Sequence, residues 1–409
     1  MSAKDPKTDY DLLIVGGGLV GASLAAALAP LSLKIAMVEA VPFGSRGQPS
    51  FDDRATALSE GSRRIFEGMG VWSGMAAEAS PIRRVHVSER GRLGATRLSA
   101  EEAQVQALGW VTPNRLIGKA LMEYIAGSPG ITVHAPAKLQ SFSTDAKGVE
   151  AVIEADKPLT LSARLLIAAD GAQSEVRRQL GIGAERADYA QTAIVCNVRV
   201  ERPEPETAFE RFADAGPAAL LPMGGDKYGF VWVVSTDASP ALLGLDDVAF
   251  AEQAAGQFGG RFGKFIQVGK RASHPLSMVH ADAQQATRTL IIGNAAHALH
   301  PVAAQGFNLS VRDVAVLAEV LADARGGDIG APEVLARYVD ARKGDQRGTA
   351  MFTDILNRLF ANPLATVGWG RNAGLLAMEL MPAARRTLMR KNMGLDGHLP
   401  RLARGLPLR

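Results

Sequence analysis

The segment DLLIVGGGLVG, residues 11–21, decides the fold of this 409-residue chain. Its first five residues form an apolar run of strand length, and the glycines lead into an Ala/Leu-rich segment, residues 22–29, that a proline ends. The pattern predicts a strand, a sharp turn and a helix. Gly16 permits the tight turn, Gly18 allows the backbone to approach a pyrophosphate, and Gly21 allows the helix to pack closely on the strand.

A second apolar run supports dinucleotide binding at this turn. Residues 34–38 read KIAMV, and Glu39 follows them. This glutamate lies about 20 residues beyond the glycines, as the motif requires. An acidic side chain at this position accepts hydrogen bonds from ribose hydroxyls, while the helix N-terminus faces the phosphates. We therefore interpret the segment as a dinucleotide-binding unit and not as a coincidental glycine loop.

Two more apolar runs end in segments that carry chemistry. Residues 165–169, LLIAA, precede an Asp-Gly pair, which also commonly forms a simple strand-ending turn. A predicted strand over residues 289–293 and a predicted helix over residues 315–322 flank a loop that contains GNAAHALHP and QGFNL. Such a loop exposes backbone amides at a helix N-terminus, where they stabilise negative charge.

The three segments, in this order, resemble the aromatic-ring flavoprotein monooxygenases typified by para-hydroxybenzoate hydroxylase. The resemblance implies an α/β fold with a discontinuous FAD-binding Rossmann-like domain, a β-sheet substrate domain and a helical C-terminal segment. It also implies FAD as cofactor, NADPH or NADH and O2 as co-substrates, and hydroxylation of a phenol through a C4a-hydroperoxyflavin. The cofactor carries the oxygen chemistry in such enzymes, so no residue is assigned as a catalytic acid or base.

Within this family the chain is most similar to the ubiquinone-biosynthesis hydroxylases, especially the 2-polyprenyl-6-methoxyphenol hydroxylase group. Asn294 stands where the wider family has Asp, and that group tends to share the Asn. The resemblance implies a polyprenylated phenol as substrate and conversion of 2-polyprenyl-6-methoxyphenol to 2-polyprenyl-6-methoxy-1,4-benzoquinol. Hydroxylation of another ring position or another phenol, a flavin reductase that inserts no oxygen, and a non-catalytic FAD-binding subunit of a quinone-synthesis assembly stay open as alternatives.

The resemblance also implies the site residues. Those expected to contact FAD are Gly16, Gly18, Gly21, Glu39, Arg54, Asn114, Asp170, Gly171, Asn294, Gly306 and Asn308. The loop at the flavin edge is expected to comprise Pro301, Gly306, Phe307 and Asn308.

Two of these candidates have ordinary structural alternatives, and two histidines of the same loop need an interpretation. Arg54 could be a solvated arginine, and Asn114 could cap the helix that it begins, which the sequence alone favours slightly. His297 and His300 are interpreted as loop-packing residues, because two histidines without a nearby Cys, Asp or Glu make a poor metal site. We therefore predict no metal.

The domain division is predicted to be discontinuous. The FAD-binding domain comprises residues 1–75, 105–185 and 275–345, the substrate domain comprises residues 76–104 and 186–274, and the C-terminal helical segment comprises residues 346–409. Short β-rich stretches at residues 85–87, 192–200 and 228–235 predict an antiparallel sheet in the substrate domain.

Composition favours a cytoplasmic enzyme. Hydrophobic residues make up 47% of the chain, and Cys196 is the single cysteine, which excludes an internal disulfide and fits a reducing cytosol. The N-terminus lacks the apolar core of a signal peptide, and no run approaches the ~20 apolar residues of a membrane span.

The C-terminal tail concentrates positive charge. Residues 385–409 hold seven basic residues and one acidic residue, a net charge of +6, whereas the whole chain carries +3. Apolar side chains between Phe352 and Phe360 follow the spacing of one helical face. The tail could lie on anionic lipid at the inner face of the cell membrane or dock in a quinone-synthesis complex, although helices packed on the flavin domain are favoured. No basic and aromatic platform for nucleic acid is present.

Overall fold

The computed structural model describes residues 8–45, 54–213, 216–300, 304–361 and 364–408. The strands in these ranges are β1 (Tyr10–Val15), β2 (Ile35–Val38), β3 (Ala55–Ser59), β4 (Ser80–Ile82), β5 (Arg84–Glu89), β6 (Ala95–Ser99), β7 (Gly109–Pro113), β8 (Ile131–His134), β9 (Lys138–Thr144), β10 (Val149–Glu154), β11 (Leu159–Ala168), β12 (Ala184–Val200), β13 (Thr207–Phe212), β14 (Ala218–Pro222), β15 (Lys227–Ser235), β16 (Phe265–Val268), β17 (Ala272–Ala281), β18 (Gln285–Ala286), β19 (Thr289–Ile291) and β20 (His297–Ala298). The helices are α1 (Leu19–Leu28), α2 (Glu60–Gly68), α3 (Asn114–Ala126), α4 (Glu175–Gln179), α5 (Ser239–Leu243), α6 (Asp247–Phe258), α7 (Gln305–Asp323), α8 (Pro332–Ala361), α9 (Ala365–Leu380) and α10 (Pro382–Asn392).

An eight-stranded sheet forms the first layer system. Its central strands run β19-β11-β1-β2-β8 and pair in parallel, with β18, β10 and β9 added by antiparallel pairing. Leu12 and Ile14 of β1 are fully buried beneath α1, α3 and α7, while Leu13 packs on the opposite face. Burial on both faces explains why β1 is a continuous apolar run, and the predicted strand–turn–helix at residues 11–29 is confirmed.

A nine-stranded sheet forms the second layer system, in the order β20-β17-β12-β15-β14-β13-β5-β6 with β16 paired to β12. Its pairs are antiparallel except for β5 and β13. The stretches predicted as strands at residues 85–87, 192–200 and 228–235 lie in β5, β12 and β15, so this expectation is confirmed. One face packs on α6 through Phe230, Phe250 and Phe258.

A small sheet of β3, β7 and β4 connects the two layer systems. Ile82 and Val111 of this sheet pack with Ala208 of β13. At the other end of the small sheet, the backbone N–H of Ser59 in β3 donates a hydrogen bond to Asn308 Oδ1 of α7 at 2.7 Å. The small sheet thus fixes β13 and α7 relative to each other.

The helical C-terminal segment is confirmed, and the expected packing on the flavin domain holds for part of it. Helix α8 packs on α7, and residues 401–404 pack on α2. Helix α9 instead lies along β6, the edge strand of the nine-stranded sheet. Gly94 donates its N–H to Asn372 Oδ1 at 2.6 Å, the Thr96 hydroxyl donates to the Leu375 carbonyl at 2.8 Å, and Arg97 binds Glu379. An edge strand presents unpaired backbone groups, and α9 covers them.

No helix within the described ranges is long and apolar enough to cross a membrane. The predicted domain limits at residues 185, 274 and 345 fall inside β12, β17 and α8, so continuous elements of the structure cross these limits.

A buried ionic network joins α7 to α8. Asp313, which is fully buried, accepts hydrogen bonds from Arg342 Nε at 2.6 Å and from Gln346 Nε2 at 3.0 Å, and its other oxygen binds the His297 ring. Burial alone raises the pKa of Asp313, but Arg342 and His297 lower it overall, so Asp313 is ionised at neutral pH. The carboxylate therefore depends on its partners.

We predict that Arg342→Met strongly destabilises the fold. Removing one partner leaves the Asp313 charge buried, which costs roughly 3–5 kcal/mol in such networks. Urea unfolding at pH 7 measures this loss, and Arg347→Met, an exposed position on the same helix, is the control. Because the pKa of Asp313 is depressed, its stabilising contribution is present above the unfolded-state pKa of 3.8 and disappears as the pH falls further, so the difference between variant and wild type should shrink in acid. A loss below about 1 kcal/mol at pH 7, the usual effect of an exposed ion pair, would contradict the importance of the network.

Candidate active site

One cavity of about 820 Å³ lies at the carboxyl ends of the parallel strands. Ligands bind at this end of open α/β sheets because the loops and helix N-termini converge there. The cavity brings together ten of the predicted residues from widely separated parts of the sequence: Gly16, Gly18, Glu39, Arg54, Asn114, Asp170, Gly171, Asn294, Gly306 and Phe307. Gly21 and Asn308 do not line it, and Pro301 lies outside the described residues.

The first glycine turn is packed so closely that side chains are excluded. Gly16 has φ +101°, and a Cβ there would lie 2.5 Å from the Ala169 carbonyl oxygen. A Cβ on Gly21 would lie 1.9 Å from the Gly16 oxygen, so Gly21 serves the packing of α1 on β1. Gly18 precedes α1, whose N-terminus has no side-chain cap. The first amides of α1 therefore face a part of the cavity wall where Gly16 and Gly18 present no side chain.

Glu39 follows β2 and is nearly buried beside this turn. Its Oε2 accepts the Gly17 N–H at 2.7 Å and its Oε1 accepts the Val41 N–H at 2.9 Å. Because each carboxylate oxygen has two acceptor positions, both oxygens keep capacity for a ligand hydroxyl. Two backbone bonds thus hold the carboxylate in a fixed orientation at the cavity.

Asp170 begins the loop after β11. Its Oδ2 accepts the N–H groups of Glu175 at 2.8 Å and Val176 at 3.1 Å, which orders the start of α4. Its Oδ1 is buried and has no hydrogen-bond partner within the described part of the protein. Buried polar atoms are normally paired, so this oxygen is expected to bind a group that enters the cavity. Gly171, at φ +84°, adopts a backbone conformation that favours glycine.

Arg54 and Asn114 also line the cavity. The Arg54 guanidinium is 3.3 Å from His274 Nε2, so it is not simply solvated. Asn114 Oδ1 accepts the Thr56 hydroxyl at 2.5 Å. The capping role favoured from the sequence is wrong, because α3 begins at Asn114 itself, after Pro113, with no side-chain cap.

The second glycine loop differs from the prediction in one respect. Asn294 is exposed toward the cavity in a single 3₁₀ turn, Gly293–Ala295, as the loop prediction requires. Gly306 and Phe307, however, lie in the first turn of α7, which begins at Gln305. No side chain caps this 19-residue helix, so its N-terminal amides and dipole face the cavity.

Asn308 acts as a clamp between α7 and β3. Its side chain is buried, with Oδ1 accepting the Ser59 N–H at 2.7 Å and Nδ2 donating to the carbonyls of Ala57 at 2.8 Å and Ala304 at 2.7 Å. These three bonds occupy the amide group on the protein itself. The clamp holds the first turn of α7 against the small sheet.

The two histidines of the loop bind different protein partners. His297 binds Asp313, whereas His300 Nε2 lies 3.1 Å from Gln191 Oε1 and its ring meets the edge of Tyr189 at 5.0 Å. Burial lowers the pKa of His300 to about 4, so its ring is neutral near pH 7. Both rings hold the loop in place, as the packing interpretation expects.

A second cavity of about 670 Å³ adjoins the first and is mainly apolar. The face of β5 and β6, and helices α8, α9 and α10, form its walls through residues such as Val87, Leu98, Leu356, Leu375 and Met378. Five residues line both cavities: Ala57, Ile82, Val85, Glu210 and Ala304. The two spaces therefore meet at a shared seam.

Two charged groups near this seam were not recognised from the sequence. Arg371 of α9 forms a buried ion pair with Glu89 at 2.5 Å, and Glu210 lies in the middle of β13. The available signal for Glu210 was the alternation of Ala208, Glu210 and Phe212, which places a carboxyl group among apolar residues on one face of a strand. Only the fold shows that this face is a cavity wall.

A glycine turn, a ribose-compatible carboxylate and a second helix N-terminus on one cavity, beside a large β-sheet, define the class of FAD-dependent aromatic-ring monooxygenases. A solved structure with this architecture is p-nitrophenol 4-monooxygenase PnpA from Pseudomonas putida DLL-E4, with a TM-score of 0.79, 17% identity, and coverage of 96% of this chain and 100% of that chain. At this identity the likeness shows the fold.

Comparison of sequences identifies the family. The FAD binding domain family model matches residues 9–353. Ubiquinone hydroxylase UbiL of Rhodospirillum rubrum is 38% identical over 406 residues, covering 97% of this chain and 93% of the relative. The 3-demethoxyubiquinol 3-hydroxylase of Escherichia coli K12 is 30% identical over 391 residues, covering 94% of this chain and 98% of the relative. The chain belongs to the FAD binding domain family, within the ubiquinone-biosynthesis group of FAD-dependent monooxygenases.

We predict that Asn308→Ala destabilises the protein through the clamp. The substitution leaves the Ser59 N–H and two carbonyl groups without this partner, and a buried unsatisfied group costs roughly 1–3 kcal/mol. Asn308→Asp should be no better, since a carboxylate cannot donate to the two carbonyls. Thermal unfolding with and without added FAD measures the effect. Wild-type stability in both variants would show that the clamp contributes nothing.

Proposed function

We propose that the protein hydroxylates the ring of a polyprenylated phenol, with FAD bound in the first cavity and the polyprenyl tail of the substrate in the second. One observation carries the proposal: an apolar cavity shares a seam with the cavity that the dinucleotide turn lines. A small polar phenol would not need such a space. A hydrocarbon tail gains about 25 cal/mol for each Å² that it removes from water, so an apolar wall favours its binding.

The described residues of the cavity supply groups that would hold FAD. The α1 N-terminus at Gly18 would hold the pyrophosphate, and Glu39 would accept the ribose hydroxyls. Asp170, with its unpartnered oxygen, would bind a polar group of the cofactor. The first turn of α7 at Gly306 would face the flavin edge. When bound, FAD supplies electron transfer from NADPH or NADH and the activation of O2.

The remaining candidates line the same cavity and complete the assignment. Arg54 would contact the flavin, and Asn114 would present its amide group to the same cavity. Asn294 would meet the ribityl chain with a neutral side chain. We assign Gly21 and Asn308 to the support of these contacts, because their surroundings are protein groups.

The substrate that we propose is 2-polyprenyl-6-methoxyphenol, with oxygen added para to the hydroxyl. Asn294 supports this choice by its resemblance to that group of hydroxylases. The relatives carry names for more than one hydroxylation, among them a 3-demethoxyubiquinol 3-hydroxylase, so another ring position is the competing outcome. Regiochemistry depends on how the cavity seam presents the ring, where a displacement of about 1 Å matters.

Aerobic turnover tests the function directly. FAD-loaded protein, NADPH or NADH and a short-chain 2-prenyl-6-methoxyphenol should yield a product with one added oxygen para to the hydroxyl, identified by mass and ring position. Oxygen at another position would correct the substrate assignment while keeping the hydroxylase. Oxidation of the nicotinamide to give only peroxide with every prenylated phenol tried would refute the proposed substrate class.

We predict that Gly18→Val yields protein without FAD. Its side chain would enter the cavity at the α1 N-terminus and obstruct the pyrophosphate. The measurement is the ratio of flavin to protein absorbance after purification, together with the far-ultraviolet circular dichroism spectrum. Gly344→Val in α8 is the control for replacing a glycine by valine, because a Cβ at Gly344 would have no neighbouring atom within 4 Å. Wild-type flavin content in Gly18→Val would remove the turn from the FAD site.

We also propose that α8 and α9 rest on an anionic membrane surface from which the substrate tail enters. Eight of the twelve exposed large hydrophobic residues in the described ranges lie between Met351 and Met381, including Trp369 and Leu380. A concentration of exposed large apolar residues on two helices is the kind of feature that marks binding surfaces. The same helices form the wall of the apolar cavity, so a tail could pass from lipid to cavity along them.

Sedimentation with vesicles tests this surface. Full-length protein should pellet with phosphatidylglycerol/phosphatidylcholine vesicles at low salt, and Trp369→Ser/Leu380→Ser should reduce pelleting several-fold because it removes the apolar contact. Val248→Ser/Ile266→Ser, which changes exposed apolar residues elsewhere, is the matched control and should behave as wild type. Absence of wild-type pelleting at low salt would overturn the proposal.

A further inference from the structure

Glu210 occupies the seam between the two cavities. It is the fourth residue of β13, and its side chain lines both the cavity of the dinucleotide turn and the apolar cavity. Its cross-strand neighbours are Val87 of β5 and Ala219 of β14, which line one cavity each. The neighbouring Phe209 also lines the cavity of the dinucleotide turn, although its ring packs against Phe262 in the core on the other face of the sheet. Glu210 is thus a carboxyl group on an otherwise apolar stretch of wall.

The charged surroundings of Glu210 are sparse. Among the described residues that line the two cavities, the other ionisable side chains are Glu39, Arg54, Asp170 and Arg371. Arg371 is already ion-paired with Glu89, and Glu39 and Asp170 hold backbone amides at the dinucleotide turn and after β11. Burial in this wall raises the pKa of Glu210 to about 8, with no charged neighbour contributing to the shift.

We propose that Glu210 is a catalytic residue that binds the phenol hydroxyl of the substrate and accepts its proton. The inference rests on the proposed function, in which the tail lies in the apolar cavity and the flavin in the other. A ring that joins the two must cross the seam, where Glu210 is the one ionisable side chain common to both linings. The ring hydroxyl needs a polar partner in an apolar environment, and this carboxyl group provides it.

The proton transfer follows from the chemistry of the phenol. The phenol O–H bond breaks, and a new O–H bond forms on a carboxylate oxygen of Glu210. The electron pair left on the phenol oxygen raises electron density at the ring carbon opposite, which forms a C–O bond with one atom of O2. Its C–H bond then breaks, the hydrogen leaves as a proton to solvent and the ring becomes aromatic again, while the proton on Glu210 returns to the phenol oxygen. The other atom leaves as water, with the two electrons supplied by NADPH or NADH and the proton balance completed from solvent. A base is most effective when its pKa lies near the working pH, and an ordinary glutamate would be too weak.

The first arm of the test measures ligand binding without turnover. Quenching of flavin fluorescence in FAD-loaded protein gives the dissociation constant of a short-chain 2-prenyl-6-methoxyphenol between pH 6 and 9. Glu210→Gln should weaken binding roughly tenfold where the carboxylate is formed, the scale of a hydrogen bond to a charged group, and should remove its pH dependence. The methyl ether of the same phenol has no hydroxyl proton to donate, so it should bind wild type and variant alike. Glu185→Gln, an exposed glutamate of the same sheet, is the control.

The second arm measures turnover. In wild type, kcat/KM for hydroxylation should rise with pH and level off above about pH 8, because Glu210 acts as a base only after it ionises. Glu210→Gln should lower kcat/KM by about 10²-fold or more, the usual contribution of a general base, and abolish this limb. Glu210→Asp, which keeps a carboxyl group, should restore part of the rate with a shifted limb. If Glu210→Gln does not hold FAD, the Glu210→Asp pH profile decides the proposal.

The outcomes separate the two proposals. Wild-type binding and pH dependence in Glu210→Gln, with product still formed, would overturn the role of Glu210 and leave the hydroxylase intact. Wild-type protein that binds the phenol but forms no product would refute the proposed function, while the binding arm would still decide whether Glu210 contacts the hydroxyl. Equal loss of phenol and methyl ether binding would assign Glu210 to the shape of the cavity and overturn the proposal.

Discussion

The close approach of Gly16, Gly21 and Ala169 is the constraint on which the rest of the site depends. At these points β1, α1 and the end of β11 meet with no room for a Cβ, since added atoms would fall 1.9 to 2.5 Å from carbonyl oxygens. This contact sets α1 directly above the carboxyl ends of the strands. It therefore aims the helix amides into the cavity and fixes the distance from Glu39 to the Asp170 loop, which follow the neighbouring strands.

The second helix N-terminus is positioned by different means. The first turn of helix α7 is held by the Asn308 clamp to β3, and the Asp313 network joins the middle of the helix to α8. Both sets of contacts are buried hydrogen bonds or ion pairs, so they define the position of α7 more narrowly than apolar packing does. The two helix ends reach one cavity because the glycine contact positions α1 and the clamp positions α7.

Local signals predicted most of the fold and part of the site. The apolar run before Gly16 and the Asp170–Gly171 turn are short-range patterns, and the structure brings these residues together as expected. Asn308 and Asn114 were less predictable, because their partners Ser59 and Thr56 are 249 and 58 residues away. The position of α9 depended likewise on covering the β6 edge. A sequence pattern records periodicity, whereas these contacts are decided by which strand happens to lie at an edge or beside a helix.

Glu210 shows why a group at odds with its surroundings is informative. In the unfolded chain a glutamate ionises with a pKa of 4.5, whereas in this wall the pKa is about 8. Between these values the unfolded state releases a proton that the folded state retains, so at neutral pH the residue opposes folding, by an amount on the order of several kcal/mol at most. Gln has nearly the same shape and would avoid this effect. A carboxyl group that weakens the fold and faces two cavities is better explained by chemistry at the seam than by packing, since perturbed titratable groups concentrate at functional sites.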